Sequence, residues 1–334
     1  MESNYTYTGD FSPEAVAAVL SIEMILALIA NGVVLVITIY QRKSLKQPST
    51  IFFTSLILGH LVMILYLPFS ITALAAGEWI IGSTDEERQG SCDFSAFIIL
   101  YCVYVMLMTL SLISIDRFLF IVKPHLHKRF ISPRVALVLV IIVWVFNAAF
   151  FSSGFIDGSG VVYQYIPDLG VCYAYTISTI AAVIRFLLTL VLLCIIVVTS
   201  VWTFCFTRKF INDQSEIVGD CVYASRKKRL FGIFGSMLLI YGVCFIPSAV
   251  LSSFLAIADP PGALVVSALI LFFLAIVLSP VVQSYFRPEI NSVIVNIICH
   301  KIMKKPHTTT SSMCNNSSAN RGTNIDSLDI NLHA

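Results

Sequence analysis

Charge is what this sequence has least of. Only 12% of its 334 residues are Asp, Glu, Lys or Arg, about half the share of an ordinary soluble domain. Hydrophobic residues make up 57%, and mean hydropathy is +0.88. A water-soluble fold of this size has too little interior to hide that much apolar surface. This excludes a soluble enzyme, a disordered regulator and a small disulfide-stapled secreted domain. The formal net charge of +2 is too small for a nucleic-acid binder. The nine cysteines include no CxxC pair, so neither a metal site nor a cofactor is implied. There are no paired carboxylates, no nucleophile triad and no metal-ligand set, which makes an enzyme the least supported class. An internal repeat is also missing, and the intramembrane charges form no path. Both absences argue against a transporter or channel.

What the chain has instead is long apolar runs. A helix needs about 20 mostly apolar residues to cross the hydrocarbon of a bilayer. Seven runs meet that requirement, near 15–40, 50–76, 93–122, 133–155, 173–207, 231–257 and 263–285. Barrel strands would be half as long with alternating polarity. The fold class is therefore an all-α membrane protein, a seven-transmembrane helix bundle.

Residues Met1 to Ser12 hold no apolar run, which argues against a cleaved signal peptide; the first span would then act as its own insertion signal. Asn4-Tyr5-Thr6 is a glycosylation sequon, usable at Asn4 only if this end faces outward. With the N-terminus outside, all but Arg88 and Arg185 of the 21 lysines and arginines fall on inner segments, as the positive-inside rule expects. The chain then divides into an extracellular N-terminus (1–14), a receptor-sized bundle (15–303) ending in a short amphipathic helix near 288–303, and a disordered cytoplasmic tail (304–334).

Polar groups inside a span usually face the bundle interior. Glu23, Asn31, His60, Asp116, Arg117, Asn147 and Arg185 are such groups. Cys92 at the outer end of the third span and Cys172 in the loop before the fifth are the two cysteines on the oxidising side, where disulfides persist. A bridge there would pin that loop over the third helix. Cys299, in a basic amphipathic stretch, is a palmitoylation candidate. Pro68, Pro247 and Pro280 interrupt spans and are expected to kink them.

Taken in order, these features resemble the rhodopsin-like (class A) G-protein-coupled receptors over roughly residues 15–303. Asn31 in Ala-Asn-Gly-Val-Val is similar to the first-helix Asn motif, and Trp79 to the first outer loop. Cys92 and Cys172 resemble the family disulfide. Asp116-Arg117-Phe118 with Ile121-Val122-Lys123-Pro124 resembles the Asp-Arg-Tyr motif and its inner loop, and Trp144 the fourth-helix Trp. Cys244-Phe245-Ile246-Pro247 resembles the sixth-helix switch, Ser279-Pro280 the seventh-helix Asn-Pro, and Phe286-Arg287-Pro288-Glu289 the start of the short inner helix.

The resemblance implies a multi-pass protein of the plasma membrane. It binds an extracellular ligand between the outer helix halves. The inner end of the sixth helix then swings outward about Pro247, and a heterotrimeric G protein enters a cavity around Arg117. Asp116, Arg117, Phe118, Phe245, Pro247, Ser279 and Pro280 are the activation residues so implied. Arrestin and receptor kinases are further implied partners, beside the surrounding membrane lipids. Thr308, Thr309, Thr310, Ser311 and Ser312 form the hydroxyl run that phosphorylation would charge.

The departures matter too. His60 stands where the family usually has an Asp, and Met106 and Ser279 replace other polar partners of its sodium pocket. Hard cations want oxygen ligands, so no sodium-dependent allostery is expected. His60 also permits a proton switch, set against a buried neutral histidine with a hydrogen-bond partner. Phe245 replaces the switch Trp, Gln283 replaces a Tyr that Tyr285 stands two residues past, and Leu188 or a neighbour takes the place of the fifth-helix Pro. Lys227 stands where many members carry an acid that pairs with the motif Arg, so raised basal signalling is one expectation. A simple Arg117–Asp116 pair is the other. Ile99 occupies the position where amine receptors carry an Asp, which argues against an aminergic ligand. Arg185, Tyr101, Phe245 and Ile99 are the ligand-pocket candidates, Arg185 for an acidic group. A non-signalling heptahelical scaffold or decoy receptor is the alternative function.

Overall fold

The computed structural model describes residues 5–41, 47–156, 158–218, 240–254 and 261–286. Among these residues six helices are long and apolar enough to cross a membrane. They are α1 (Pro13–Tyr40), α2 (Pro48–Ala76), α3 (Asp85–Val122), α5 (Pro133–Ser152), α6 (Thr179–Val218) and α8 (Gly262–Phe286). A short helix α4 (Pro124–Phe130) lies between α3 and α5. Of the run expected at 231–257, a π-helical turn (Ile240–Phe245) and α7 (Ile246–Phe254) are described; its remaining residues lie outside the described ones.

The six spans are apolar on nearly every side, with α2 and α3 mostly buried and α1, α5 and α6 mostly facing outward. On α1, Leu20, Ala27 and Val34 are buried at a seven-residue spacing while Ile22, Ile29 and Val36 face out with more than half their surface exposed. That is the pattern of a helix with protein on one face and lipid on the other. The bundle is built by α1 on α2 and α8, α2 on α3, and α3 on both α5 and α6. The core runs along α2 and α3, through Phe52, Leu56, Met63, Leu67, Leu100, Tyr104 and Met106.

Helix starts follow capping chemistry. Ser12, Thr84 and Ser132 each accept a bond from a backbone N–H of the first turn, and proline stands at the start of α1, α2, α4 and α5, where its missing N–H costs nothing. Two expectations need correction. The third span begins at Asp85, two turns before Cys92, because Thr84 caps a polar first turn of Asp85, Glu86 and Glu87. The fifth span begins at Thr179 rather than 173. The residues before it form an antiparallel hairpin, β1 (Val161–Ile166) and β2 (Val171–Thr176), paired from Val161↔Thr176 to Ile166↔Val171. Its turn, Pro167-Asp168-Leu169-Gly170, closes with Gly170 at φ +66°, a conformation that glycine adopts without penalty.

Proline shapes the last spans. Pro247 cannot donate to the carbonyl four residues back and its ring crowds that turn; the backbone just before it is π-helical. Pro280 lies inside α8 and leaves the Ile276 carbonyl without its helical donor.

Candidate functional site

One helix, α3, carries a candidate site at each end. At the inner end Asp116 is buried, and its Oδ1 lies 3.0 Å from Nε2 of His127 on α4. Pro124 starts α4 directly after Lys123, which folds the chain back and sets His127 beside the carboxylate. The Phe120 ring stands edge-on to His127 at 5.3 Å. Arg117 is half-buried next to this pair, and Phe118 meets Trp202 of α6 edge-on at 5.5 Å. The structure thus brings Asp116 to His127, a residue the sequence reading did not single out. Lys227 lies outside the described residues.

In the middle of the bundle, Asn31 Nδ2 donates to its own helix at Ala27 O (2.9 Å) and across to Ile276 O (3.1 Å). The second bond fills the vacancy that Pro280 creates. With its amide committed as donor, Asn31 Oδ1 must accept, so His60 Nδ1 at 2.9 Å carries the proton. The position thus holds a buried histidine with a partner. A carboxylate could only accept here; His60 donates. Ser279 is buried and its Oγ accepts from Gln283 Nε2 at 3.2 Å. Trp144 Nε1 donates to Ser55 Oγ at 2.9 Å and ties α5 to α2.

At the outer end Cys92 and Cys172 are joined in a disulfide across 80 residues of chain. Gln89 Nε2 donates to Tyr163 O at 3.2 Å, and Trp79, fully buried, donates to Ser91 Oγ at 2.9 Å. Tyr163 donates to Phe151 O at 2.6 Å. Burial pushes the Tyr163 and Tyr165 phenols up to about 12. The N-terminal segment is tied to the chain after α2 and to the hairpin turn: Tyr7 N donates to Gly77 O, Trp79 N to Tyr5 O and Thr8 N to Pro167 O.

Beneath this cap lies a cavity of about 100 Å³ bounded by α1, α2, α3, the hairpin, α7 and α8. Ile99 lines it. Arg185 is buried on α6, where its carbonyl accepts from Thr189 Oγ1 at 3.0 Å, and stands outside the described lining of the cavity. Tyr101 stacks on Phe97 (5.7 Å) and meets Trp144 edge-on (5.9 Å), outside that lining as well. Phe245 closes the π turn, and its side chain lies outside the described residues, as do Asn4, Cys299 and the 308–312 run. Pro247 is exposed at the start of α7.

The sequence and the fold have counterparts among known proteins. The sequence pattern described as 7 transmembrane receptor (rhodopsin family) matches residues 30–285. The melatonin receptor type 1C of Gallus gallus is 24% identical over 238 residues, 69% of this chain and 64% of that protein. G-protein coupled receptor 161 of Mus musculus is 31% identical over 145 residues, 43% of this chain and 26% of that protein. Each match therefore spans less than two thirds of the relative's own length. The crystal structure of squid rhodopsin superposes with a TM-score of 0.66 at 15% identity, covering 89% of each chain.

Proposed function

As the chain belongs to the rhodopsin family of seven-transmembrane receptors, we propose that it is a plasma-membrane G-protein-coupled receptor that opens its inner end around Arg117. Residues 1–14 face outward, 15–303 form the receptor, and 304–334 are the cytosolic tail. The observation that supports this best is the inner end of α3. There a buried Asp116 is held by His127 immediately beside Arg117. The pair fixes the motif helix to α4 at the residue directly before Arg117.

Activation is a population shift between packed states. The widened backbone before Pro247 supplies the bend in the sixth span, and movement of that span uncovers Arg117. Ligand binding at the outer end favours the open state only to the extent that it prefers it. The Thr308–Ser312 run is the phosphorylation site for arrestin recruitment, Asn4 carries glycan, and Cys299 carries palmitate.

The test is nucleotide exchange by a panel of heterotrimeric G proteins on the full chain in lipid nanodiscs, with Arg117→Ala as the comparison. Wild type is expected to accelerate exchange by at least one heterotrimer, and Arg117→Ala to return it to the receptor-free rate. Equal rates for wild type, variant and blank across the panel favour the scaffold reading. An epitope fused after Ala334 that stains intact cells reverses the orientation.

A further inference from the structure

The outer cavity has an unusual chemistry for a site that receives a signal. Among the described residues no charged side chain lines it. Its polar groups are the hydroxyls of Tyr66, Ser70, Tyr173 and Ser248, and the rest of its wall is aliphatic, methionine or phenylalanine. Transferring an ion into such a wall without a counter-charge costs far more than any apolar contact returns. The wall on α3 is Ile99, Leu100 and Val103, so neither an ammonium nor a carboxylate meets an opposite charge there.

The hydroxyls still point to a polar feature on the ligand. Tyr66 OH and Ser70 Oγ are bonded to each other at 2.6 Å. Two hydroxyls bring two protons and one shared bond uses one, which leaves a donor over. Ser95 lies close enough to the Tyr66 hydroxyl to interact with it. Its own hydroxyl is buried. A donor in an apolar wall is satisfied by an acceptor without charge. The roof adds to the seclusion. The backbone bonds of Tyr7 to the end of α2 and of Thr8 to the hairpin turn hold the N-terminal segment down, and Gly170 leaves so little room that a Cβ there would lie 2.8 Å from Leu74 and 3.3 Å from Tyr7.

We propose that this cavity binds an uncharged, mostly hydrocarbon small molecule bearing one hydrogen-bond acceptor, of the ester or ketone type, and rejects cations and anions. At about 100 Å³ the cavity is smaller than the dry cavity of about 150 Å³ that accommodates a benzene, so a ligand there must be small and slender. This names the ligand class of the proposed receptor, and it rests on that reading only for the consequence of binding.

The test uses the full chain in nanodiscs with four matched probes: methyl pentanoate, pentanoate, pentylammonium and hexane. Binding is read as a shift of the melting midpoint. Leu269→Trp, which fills the cavity, serves as the blank for partitioning into lipid. Methyl pentanoate is expected to stabilise wild type over the blank, with pentanoate and pentylammonium about a hundredfold weaker. Tyr66→Phe should weaken the ester about fivefold and leave hexane unchanged. Ile99→Asp should turn the preference toward pentylammonium. Charged probes binding as well as the ester, no probe separating wild type from Leu269→Trp, or hexane matching the ester each overturn the proposal. Nucleotide exchange without probe is read on the same sample. Exchange without ester binding rejects the ligand class alone, and ester binding without exchange rejects the receptor reading alone.

Discussion

The two ends of α3 are held by different chemistry. The outer end is fastened by a covalent bond to β2, by Gln89 on the hairpin backbone and by the Trp79–Ser91 bond. The inner end is fastened to α4 through one ionisable contact, Asp116 with His127, and to α6 through a ring contact of Phe118. Covalent and buried backbone contacts survive changes of conformation, whereas a side-chain pair next to the cytosol can be exchanged for another partner. One end is built to stay and the other to let go.

The comparison breaks most visibly at the disulfide. Cys172→Ser frees the hairpin from α3 across the 80-residue separation, and removal of such a bridge costs about 2–5 kcal/mol. The expected result is loss of surface protein and a lowered melting midpoint, and an unchanged midpoint would show that the outer end does not depend on the bridge. At the other end, His127→Ala removes the partner of a buried carboxylate. A hydrogen bond to a charged group contributes about 1.5–3 kcal/mol, so ligand-free nucleotide exchange should rise roughly tenfold. The melting midpoint should fall as well, because a buried carboxylate loses its partner, and a fall in basal exchange contradicts a releasable inner end.

A smaller effect is expected at Gly170→Ala. The positive φ and the short approach to Leu74 together cost about 1–3 kcal/mol, read as a lower midpoint without altered basal exchange. The gentlest probe is pH. The Tyr163 and Tyr165 phenols titrate near 12 in the folded chain, above their ordinary value of 10.0. The fold favours their neutral forms, so their contribution is whole below about pH 10 and is lost as pH rises from there toward 12. The phenolate of Tyr163 also cannot donate to Phe151 O. The melting midpoint should stay flat from pH 8 to 10 with respect to these groups and fall above it, and Tyr163→Phe should blunt the fall.

The spans were legible because a bilayer demands long apolar runs, and the described helices fall where the runs do. Hydropathy could not show where α3 begins, since Asp85 to Gly90 form polar helical turns set by the Thr84 cap. The hairpin had a readable signal, and the span placed at 173–207 absorbed the end of its second strand: Val-Val-Tyr-Gln-Tyr-Ile and Val-Cys-Tyr-Ala-Tyr-Thr around Pro-Asp-Leu-Gly are strand and turn chemistry. The first twelve residues hold no apolar run, yet Tyr5 packs on Tyr165 of the hairpin and Tyr7 on Phe11. His127 was missed because only lysines and arginines entered the charge pattern, and its contact with Asp116 depends on the chain reversal at Pro124. The cavity is a property of five helices and a hairpin meeting, so Ile99 alone could be anticipated on its wall, not the hydroxyls beside it.

The staple at Cys92 gives α3 a fixed fulcrum. From there to Arg117 the helix is about 38 Å long at 1.5 Å per residue. A tilt of about 5° around that point carries the guanidinium roughly 3 Å sideways, close to a side-chain width, while the cap above scarcely stirs. Leverage of this kind would let a ligand that only nudges the upper wall be felt at the cytosolic rim.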